Sequence, residues 1–561
     1  MFDVRLQRSR WGIFLHPQAF NIRHAVLLMS PMNTLTRRGF LGRVAGAAAV
    51  AALPFPQILR GQSKSGPKRK PNVLFIMSDD MRVELSSYGS LFGAQTPNLD
   101  ALASSGVRFD RNYCQYPICN PSRASLLTNR HPTTTRVLGN GNNFRVTNPD
   151  LVSLPQLFRE NGYTTLRSGK IFHGGFDDPK AWSIGHELVD GDGGAGGKAM
   201  SIPRPDPATV QSKPSDKMRI VGRDGAREPQ YKSAESATQY VLPALQGDVS
   251  RAAHSDRLIV LDGMGGGHPD NLTADRTIQY LRDHKDEPFF IGCGFVKPHS
   301  PPCAPQKFLD MYDPNKIKLP PDFFPWPTVP AGFPSAAIRR NNADLFIGRG
   351  ASEEEARLTI RHYIASTSYC DWNVGRVLSE LDRLGLRENT IVVFVVDHGY
   401  QLGEKGKWSK AGSLFEMGTR VPLIISAPGM SGNGRSSYRI VQSLDVFPTL
   451  CELCSLQVPD GGEGTSLTPL LRDPSVAWDR PAYSVWSEDS QTIHGVAVRT
   501  EKWRYAEYGP DGANGAMLLD PKDPWETTNF AYDPKYASVC AELSKLTRNY
   551  AAHVGRPFAA A

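Results

Sequence analysis

The chain has 561 residues, 40% of them hydrophobic and 21% charged, which are the proportions of an ordinary soluble globular protein with a large core. The formal net charge of +8 lies almost entirely within the first sixty residues, where eight arginines accompany a single acid. The remaining 56 basic and 55 acidic residues nearly cancel. No basic surface is left, so the composition argues against nucleic acid as a partner.

The first sixty residues contain a pattern typical of an export signal. Arg37 and Arg38 precede a short, weakly hydrophobic run from Val44 to Leu53, which resembles a bacterial Tat signal. The run is far shorter than the ~20 residues that a membrane span requires. We therefore predict that residues 1–60 are an export signal with an upstream extension, and that the protein is periplasmic or secreted without a membrane span. The alternative is an N-terminal amphipathic or anchoring helix.

Beyond a linker at residues 61–71, apolar runs alternate with amphipathic segments. The apolar runs predict buried strands, and the amphipathic segments predict helices. Strands that alternate with helices favour an α/β fold with a large, mainly parallel mixed sheet sandwiched by helices. The predicted strands are residues 73–77, 163–166, 288–292, 391–396 and 421–425, and the predicted helices are residues 96–103, 154–161, 275–283 and 356–384.

The pattern changes in two other parts of the chain. Residues 186–270 are rich in glycine, proline and aspartate, which predicts insertion loops that shape a substrate pocket. Past about residue 476, short strand candidates and a final helix predict a small C-terminal subdomain with an antiparallel sheet. These candidates are residues 496–499, 503–508, 516–519 and 538–552. The predicted domains are therefore a main domain at 61–475 and an α+β subdomain at 476–561.

Charged side chains follow two of the predicted strands. Asp79 and Asp80 come directly after the first strand, and Asp397 and His398 follow the strand at 391–396. Ligands gather beyond the carboxyl ends of strands in open α/β sheets, and three carboxylates placed there would repel one another without a cation. Oxygen-rich ligation favours calcium or magnesium over zinc. The sequence thus predicts a divalent-metal site.

Cys119 lies where a helix is expected to begin. Asn120 suits a helix N-cap, Pro121 suits the first helical position, and apolar residues continue the helix. The positive end of the helix would favour an anion at Cys119. Arg123, four positions later, falls on the same helix face and is expected to reach back toward Cys119.

The run from Cys119 to Thr128, Cys-Asn-Pro-Ser-Arg-Ala-Ser-Leu-Leu-Thr, resembles the signature of the sulfatase family. In that signature a dedicated maturation enzyme oxidises the cysteine to formylglycine. Asn129 stands where the family usually has glycine, and asparagine also tolerates a left-handed backbone. The resemblance runs from about residue 71 to 530. Further motifs resemble the iduronate 2-sulfatase branch and lie at residues 169–173, 296–299, 369–376 and 397–410.

The resemblance implies a sulfuric ester hydrolase whose catalytic domain is the main domain. It implies a calcium ion held by Asp79, Asp80, Asp397 and His398, with formylglycine from Cys119 completing the shell. His398 is an uncommon ligand for so hard a cation. The groups implied around the sulfate and the aldehyde hydrate are Arg123, Lys170, His173, His299 and Lys410.

Each implied role has a chemical reason. A sulfate ester resists nucleophiles until its charge is neutralised, which calcium and the basic side chains would do. An aldehyde hydrate offers one hydroxyl to attack sulfur and a second to expel sulfate. We expect His173 to be the base that triggers release and His299 the acid that protonates the leaving alcohol, although the two roles are interchangeable.

Several alternatives stay open at this point. A phosphonate monoester or phosphodiester hydrolase of the same superfamily is the nearest, and a non-catalytic, secreted glycan-binding homologue is another. The resemblance implies a sulfated saccharide as substrate, with a 2-O-sulfated uronate as the expected unit. Residues 139–148 are expected to form a rim of the pocket, in which Arg145 pairs with a sugar carboxylate.

Overall fold

The computed structural model describes residues 69–185, 218–221 and 255–553. The predicted export signal, most of the linker and most of the predicted insertion lie outside these residues. The strands are β1 (Asn72–Asp79), β2 (Val107–Tyr113), β3 (Thr164–Gly169), β4 (Met218–Val221), β5 (Leu258–Leu261), β6 (Phe289–Pro298), β7 (Cys303–Pro305), β8 (Thr390–Val396), β9 (Leu423–Ser426), β10 (Ser436–Gln442), β11 (Ala482–Trp486), β12 (Gly495–Arg499), β13 (Arg504–Tyr508) and β14 (Ala516–Leu519).

The described helices range from single turns to one of 31 residues. They are α1 (Pro97–Ser104), α2 (Cys119–Thr128), α3 (Pro132–Thr135), α4 (Phe144–Thr147), α5 (Leu154–Glu160), α6 (Pro269–Asp283), α7 (Gln306–Leu309), α8 (Glu353–Arg383), α9 (Glu416–Thr419), α10 (Val446–Leu453), α11 (Thr468–Arg472) and α12 (Ala537–His553). Short 3-10 turns lie at Ser86–Tyr88, Pro314–Lys316, Ser335–Ala337, Arg387–Asn389, Ser443–Asp445, Pro510–Gly512 and Pro534–Tyr536.

A seven-stranded mixed sheet, in the order β10-β2-β9-β8-β1-β6-β3, forms the centre of the fold. Its strands are parallel except β9, which runs antiparallel to both β2 and β8. The central strand β1 pairs in parallel with β8 on one side and β6 on the other. These three strands therefore end at the same edge of the sheet, which confirms the predicted mainly parallel α/β architecture.

Alternate side chains of β1 point into two different cores. Val73, Phe75 and Met77 join a buried cluster with α2, α5 and α10, whereas Leu74 and Ile76 join a second one with α1, α6 and α8. Because a central strand is covered on both faces, both sets of positions must be apolar. This requirement explains the continuous apolar run in the sequence.

Two smaller sheets flank the large one. The order β11-β12-β13-β14 is antiparallel throughout, and α12 packs on its middle strands, as predicted for the C-terminal part of the chain. A three-stranded sheet, β4-β5-β7, contradicts the interpretation of residues 186–270 as loops alone. Its strands β4 and β5 are only four residues long each, and a short apolar run such as β5 cannot be told from a buried helix segment by periodicity.

Strands with many polar residues escape prediction from the sequence. In β2, four of the seven residues are polar or charged, and only Val107 and Phe109 join the main core; β10 and β11 are likewise not predicted from the sequence. Helix α6 begins six residues before its predicted start, because its first turns bury Asp270, Asn271 and Thr273 instead of apolar side chains. Hydrogen bonds satisfy the side chains of Asp270 and Asn271, and hydrophobic periodicity cannot detect such positions.

Candidate active site

The carboxyl edge of β1 and β8 brings the predicted metal ligands together. Ser78 of β1 lies opposite Val396 of β8, so the residues that follow them emerge side by side. Asp79, Asp80, Asp397 and His398 have no exposed surface. Ligand atoms of Asp79, Asp397, His398 and Cys119 all lie within 4.8 Å of one another. The edge predicted from the sequence is therefore where these groups meet.

Asp80 is held in a backbone conformation that few residues adopt. Its φ is 64°, in the left-handed region that is uncommon for any residue except glycine. The Tyr363 hydroxyl donates to the Asp80 carbonyl oxygen at 2.5 Å and accepts the Arg82 backbone N–H at 3.0 Å. The Asp80 N–H donates to Asp397 Oδ1 at 3.2 Å. Tyr363 on α8 thus fixes the turn that directs the Asp80 carboxylate, a role that has no signal in the sequence.

Helix α2 begins at Cys119, two residues before the start predicted from the sequence. The N-cap residue is Ile118, and no side chain caps the helix, so the prediction of an Asn120 cap is wrong. Asn120 is instead inside the first turn, where its side-chain amide donates to the carbonyl oxygens of Gly139 and Asn142. The cap is unnecessary because the N–H of Asn120 already donates to Asn140 Oδ1 at 3.0 Å. Cys119 keeps its place at the positive end of the helix.

The other end of α2 matches the prediction for Asn129. This residue ends the helix with φ 55° and ψ 39°, the left-handed conformation expected where glycine usually stands. Its side-chain oxygen also accepts the Gly464 N–H at 2.7 Å, a contact that glycine cannot make. The departure from the family signature therefore leaves the helix end intact.

Cys119 lies at the centre of the charged cluster. Its Sγ is 3.2 Å from His398 Nε2 and 3.5 Å from Asp79 Oδ1. Burial and the Asp79 charge act to raise the pKa of the thiol, but Lys170, Lys410 and His398 outweigh them and hold it well below its ordinary value. The environment thus stabilises negative charge on the atom that Cys119 presents.

Arg123 acts on the carboxylates around Cys119. Its Nε donates to Asp397 Oδ2 at 2.9 Å, and its Nη2 lies 3.6 Å from Asp79 Oδ1. The remaining nitrogen donates to the backbone carbonyls of Lys170 and Ile171 at 2.7 and 2.9 Å. Because Arg123 is fully buried, it fixes two metal-ligand candidates and the loop after β3 in one arrangement.

Two lysines complete the positive surroundings of the cluster. Lys170 forms an ion pair with Asp79, and Lys410 Nζ donates to Asp80 Oδ2 at 2.8 Å. Lys410 also lies 3.5 Å from Asp344 Oδ1, while Asp344 Oδ2 accepts from the Ser409 hydroxyl at 3.0 Å. Asp344 therefore holds the segment that carries Lys410. No motif surrounds Asp344, so the sequence carries no signal for it.

The two histidines predicted as acid and base are placed differently. His299 Nε2 lies 3.9 Å from Asp80 Oδ2, and its Nδ1 is 2.7 Å from the Ser300 carbonyl oxygen, which fixes the ring. His173 lies three residues after Lys170, with its ring stacked on Phe176. Its buried Nδ1 has no hydrogen-bond partner among the described residues. His299 therefore lies close to Asp80 of the cluster. His173 lies in the loop after β3 that carries Lys170.

The predicted role of Arg145 is contradicted by its contacts. Arg145 donates to both carboxylate oxygens of Asp178, at 2.9 and 2.6 Å, and to the backbone carbonyl of Leu151. Its side chain is only 11% exposed. A guanidinium whose N–H groups already donate to nearby protein oxygens is not available to a sugar carboxylate. Arg145 stabilises the segment around α4 instead.

Comparisons with known proteins agree with this geometry. A family model described as Sulfatase matches residues 71–456, and one described as N-sulphoglucosamine sulphohydrolase, C-terminal, matches residues 403–552. Iduronate 2-sulfatase of Homo sapiens is 33% identical over 431 residues, which cover 69% of this chain and 70% of that protein.

Two solved structures share the fold at lower identity. A phosphonate monoester hydrolase from Silicibacter pomeroyi superposes with a TM-score of 0.64 at 22% identity, covering 87% of this chain and 96% of its own. A structure solved in complex with its substrate D-glucosamine-2-N,6-O-disulfate gives a TM-score of 0.62 at 22% identity, covering 87% and 98%. At this identity the superpositions show the fold alone.

Cys119 lies at the start of α2 and is surrounded by carboxylates and cations. This arrangement agrees with the family match, which covers more than half of the chain. The chain belongs to the sulfatase family, in its iduronate 2-sulfatase-like branch, and is a sulfuric ester hydrolase.

None of the helices in the described part of the chain is long and apolar enough to cross a membrane.

Proposed function

We propose that this protein releases inorganic sulfate from the 2-position of a uronic acid unit in a sulfated saccharide, with a formylglycine made from Cys119 and a calcium ion. The observation that carries the proposal is the position of Cys119 Sγ, 3.2 Å from His398 Nε2 and 3.5 Å from Asp79 Oδ1. A residue in this place is within reach of both the candidate metal ligands and the cations that would bind sulfate.

The donor set fits a hard divalent cation. Three of the four predicted ligands are carboxylates, and all are fully buried. Asp80 Oδ1 accepts no hydrogen bond from any described residue, which is costly for a buried oxygen unless a cation is its partner. Asp79, Asp80, Asp397 and His398 would hold the ion, and bound calcium would supply Lewis-acid charge neutralisation at the sulfate.

The chain's own cations would orient the substrate. Lys170 and Lys410 approach the cluster from two different loops, each held by a carboxylate. Two ammonium groups suit a sulfate, whose charge is spread over several oxygens. His299 would donate a proton to the leaving alcohol, a role supported by its Nε2, 3.9 Å from Asp80 Oδ2, and its Nδ1, 2.7 Å from the Ser300 carbonyl oxygen. His173 stays our candidate for the base.

The modification of Cys119 depends on a formylglycine-generating maturation enzyme. When formed, the hydrate of formylglycine supplies a nucleophilic hydroxyl together with a second hydroxyl on the same carbon for release of the sulfate. Cys119 is buried in the folded chain, so we expect the maturation enzyme to act before folding is complete.

The substrate class rests on the likeness to iduronate 2-sulfatase. The test uses protein co-expressed with a maturation enzyme and loaded with calcium. Sulfate release is measured from a disaccharide with a terminal 2-O-sulfated uronate and from one sulfated only at the 6-position of the hexosamine, and release of the aryl alcohol is measured from an aryl phosphodiester. We expect the first substrate to be cleaved fastest. Faster cleavage of the 6-O-sulfate would refute the proposed substrate, and faster phosphodiester cleavage would refute the proposed reaction.

Substitution of Tyr363 by phenylalanine is expected to weaken calcium binding roughly tenfold or more, which is the usual effect of losing a group that orients a metal ligand. The reason is that the Asp80 carbonyl and the Arg82 N–H lose their shared partner. Calorimetric titration with calcium measures the effect. Tyr369→Phe is the matched control, because Tyr369 is buried on the same helix and donates to Gly265, away from the cluster. Equal calcium affinity in the two variants would contradict the role of Tyr363.

The export signal stays a prediction that rests on Arg37, Arg38 and the apolar run that follows them. Replacement of both arginines by lysine is expected to keep the protein inside the producing bacterium, as determined by fractionation of the periplasm.

A further inference from the structure

Arg339 lies against the loop that carries Lys410. A Cβ atom on Gly412, two residues after Lys410, would be 2.8 Å from Cγ and Cδ of Arg339. In addition, Lys407 Nζ donates to the Arg339 carbonyl oxygen at 3.2 Å. The backbone and the side-chain stem of Arg339 are therefore both fixed to this loop.

The guanidinium of Arg339 packs on Trp486 at the end of β11. It lies 5.4 Å above the ring of Trp486, and Trp486 packs on Tyr116 at 5.5 Å. Tyr116 is three residues before Cys119, and its hydroxyl donates to the Leu138 carbonyl oxygen at 2.8 Å. Arg339 thus contacts both the Lys410 loop and Trp486, and Trp486 in turn packs on the segment that precedes Cys119.

Glu488 is the carboxylate that Arg339 binds in this structure. Arg339 Nε is 3.1 Å from Glu488 Oε2, and the Trp486 indole N–H donates to Glu488 Oε1 at 2.6 Å. The two charged side chains are 38% and 41% exposed. The loop that carries Glu488 continues to Ser490, which packs tightly on Gly139. The segment after Gly139 in turn contacts Asn120 through Asn140.

We infer that Arg339 is the group that binds the carboxylate of a uronate substrate, and that Glu488 occupies this position until the substrate displaces it. The inference rests on the proposed function, since it names how the substrate class is recognised. A planar guanidinium held over an indole ring is rigid and presents a fork that matches a carboxylate. An exposed ion pair is stabilised only weakly, so exchange of one carboxylate for another costs little.

The test compares two substrates that differ only in the group that Arg339 would bind. One is an aryl iduronide 2-sulfate, and the other is its carboxyl-reduced analogue, an aryl idoside 2-sulfate. Arg339→Ala is expected to raise KM for the iduronide about 10- to 100-fold, the loss typical of a charged hydrogen-bonded pair. The kcat/KM for the reduced analogue should fall far less, whereas a merely structural role would lower kcat/KM for both substrates by similar factors. Arg339→Lys should restore part of the loss.

The outcomes separate this inference from the proposed function. Arg435→Ala is the matched control, because Arg435, directly before β10, also forms an exposed ion pair, with Asp473. This variant should behave as wild type. If wild type prefers the iduronide and Arg339→Ala keeps that preference, the inference about Arg339 is wrong while the proposed function stands. If wild type cleaves both substrates equally well, the uronate specificity and the inference are both wrong.

Discussion

Replacement of Cys119 by alanine is expected to reduce sulfate release on the order of 10⁴-fold or more, because the nucleophile is formed from this side chain alone. The fold should survive, since alanine is a strong helix former and Cys119 lies in the first turn of α2. Sulfate release is measured in matured, calcium-loaded protein, and thermal unfolding checks the fold.

Cys114→Ala is the matched control for this experiment. Cys114 is also fully buried, five residues before Cys119, but its Sγ contacts backbone carbonyls and not the charged cluster. Mass spectrometry of the wild-type peptide that contains Cys119 should show the net loss of hydrogen sulfide and the gain of one oxygen atom. Comparable sulfate release by the two alanine variants would contradict the role of Cys119.

Replacement of Asp397 by asparagine is expected to remove both activity and the stabilisation by calcium. In wild type, a free calcium concentration one hundred times the Kd should raise the free energy of unfolding by about 2.7 kcal/mol. Asp397 accepts Arg123 Nε at 2.9 Å and lies within 4.8 Å of the other candidate ligand atoms. Asparagine offers one neutral amide oxygen in place of the two charged carboxylate oxygens of Asp397. The stabilisation by calcium should therefore fall close to zero, and turnover should fall about 10³-fold or more.

The measurement is thermal unfolding with and without calcium, followed by an activity assay. Asp371→Asn provides the control, because Asp371 is a buried carboxylate that accepts the Leu99 N–H at 2.8 Å, outside the metal cluster. That variant should be less stable than wild type and still respond to calcium. A calcium response in Asp397→Asn equal to that of Asp371→Asn would exclude Asp397 as a ligand.

The strands that position the site could be predicted because they are covered on both faces. Strands β1 and β8 read as continuous apolar runs, and the charged residues after them stand out against that background. By contrast, β10 is an edge strand of the sheet and β2 is its neighbour. Both strands carry polar residues between the apolar ones. Their pairing, and not their composition, makes them strands.

Predictions about single side chains were less reliable. Asn120 has the chemistry of a helix cap, yet Asn140 from another loop takes part of that role and moves the helix start to Cys119. Arg145 has the chemistry of a carboxylate-binding residue, yet Asp178 neutralises it. In both cases a partner distant in sequence decides what a suitable side chain does.

The sequence by itself determined the family signature around Cys119, the α/β class, and the meeting of Asp79, Asp80, Asp397 and His398 at one edge of the sheet. These conclusions depend on local order along the chain and on the rule that parallel strands end together. Only the tertiary structure assigned Tyr363, Asp344 and Arg339, which come from segments far from the motifs. Their roles arise from contacts between distant segments, and the packing of the chain creates contacts that no local pattern encodes.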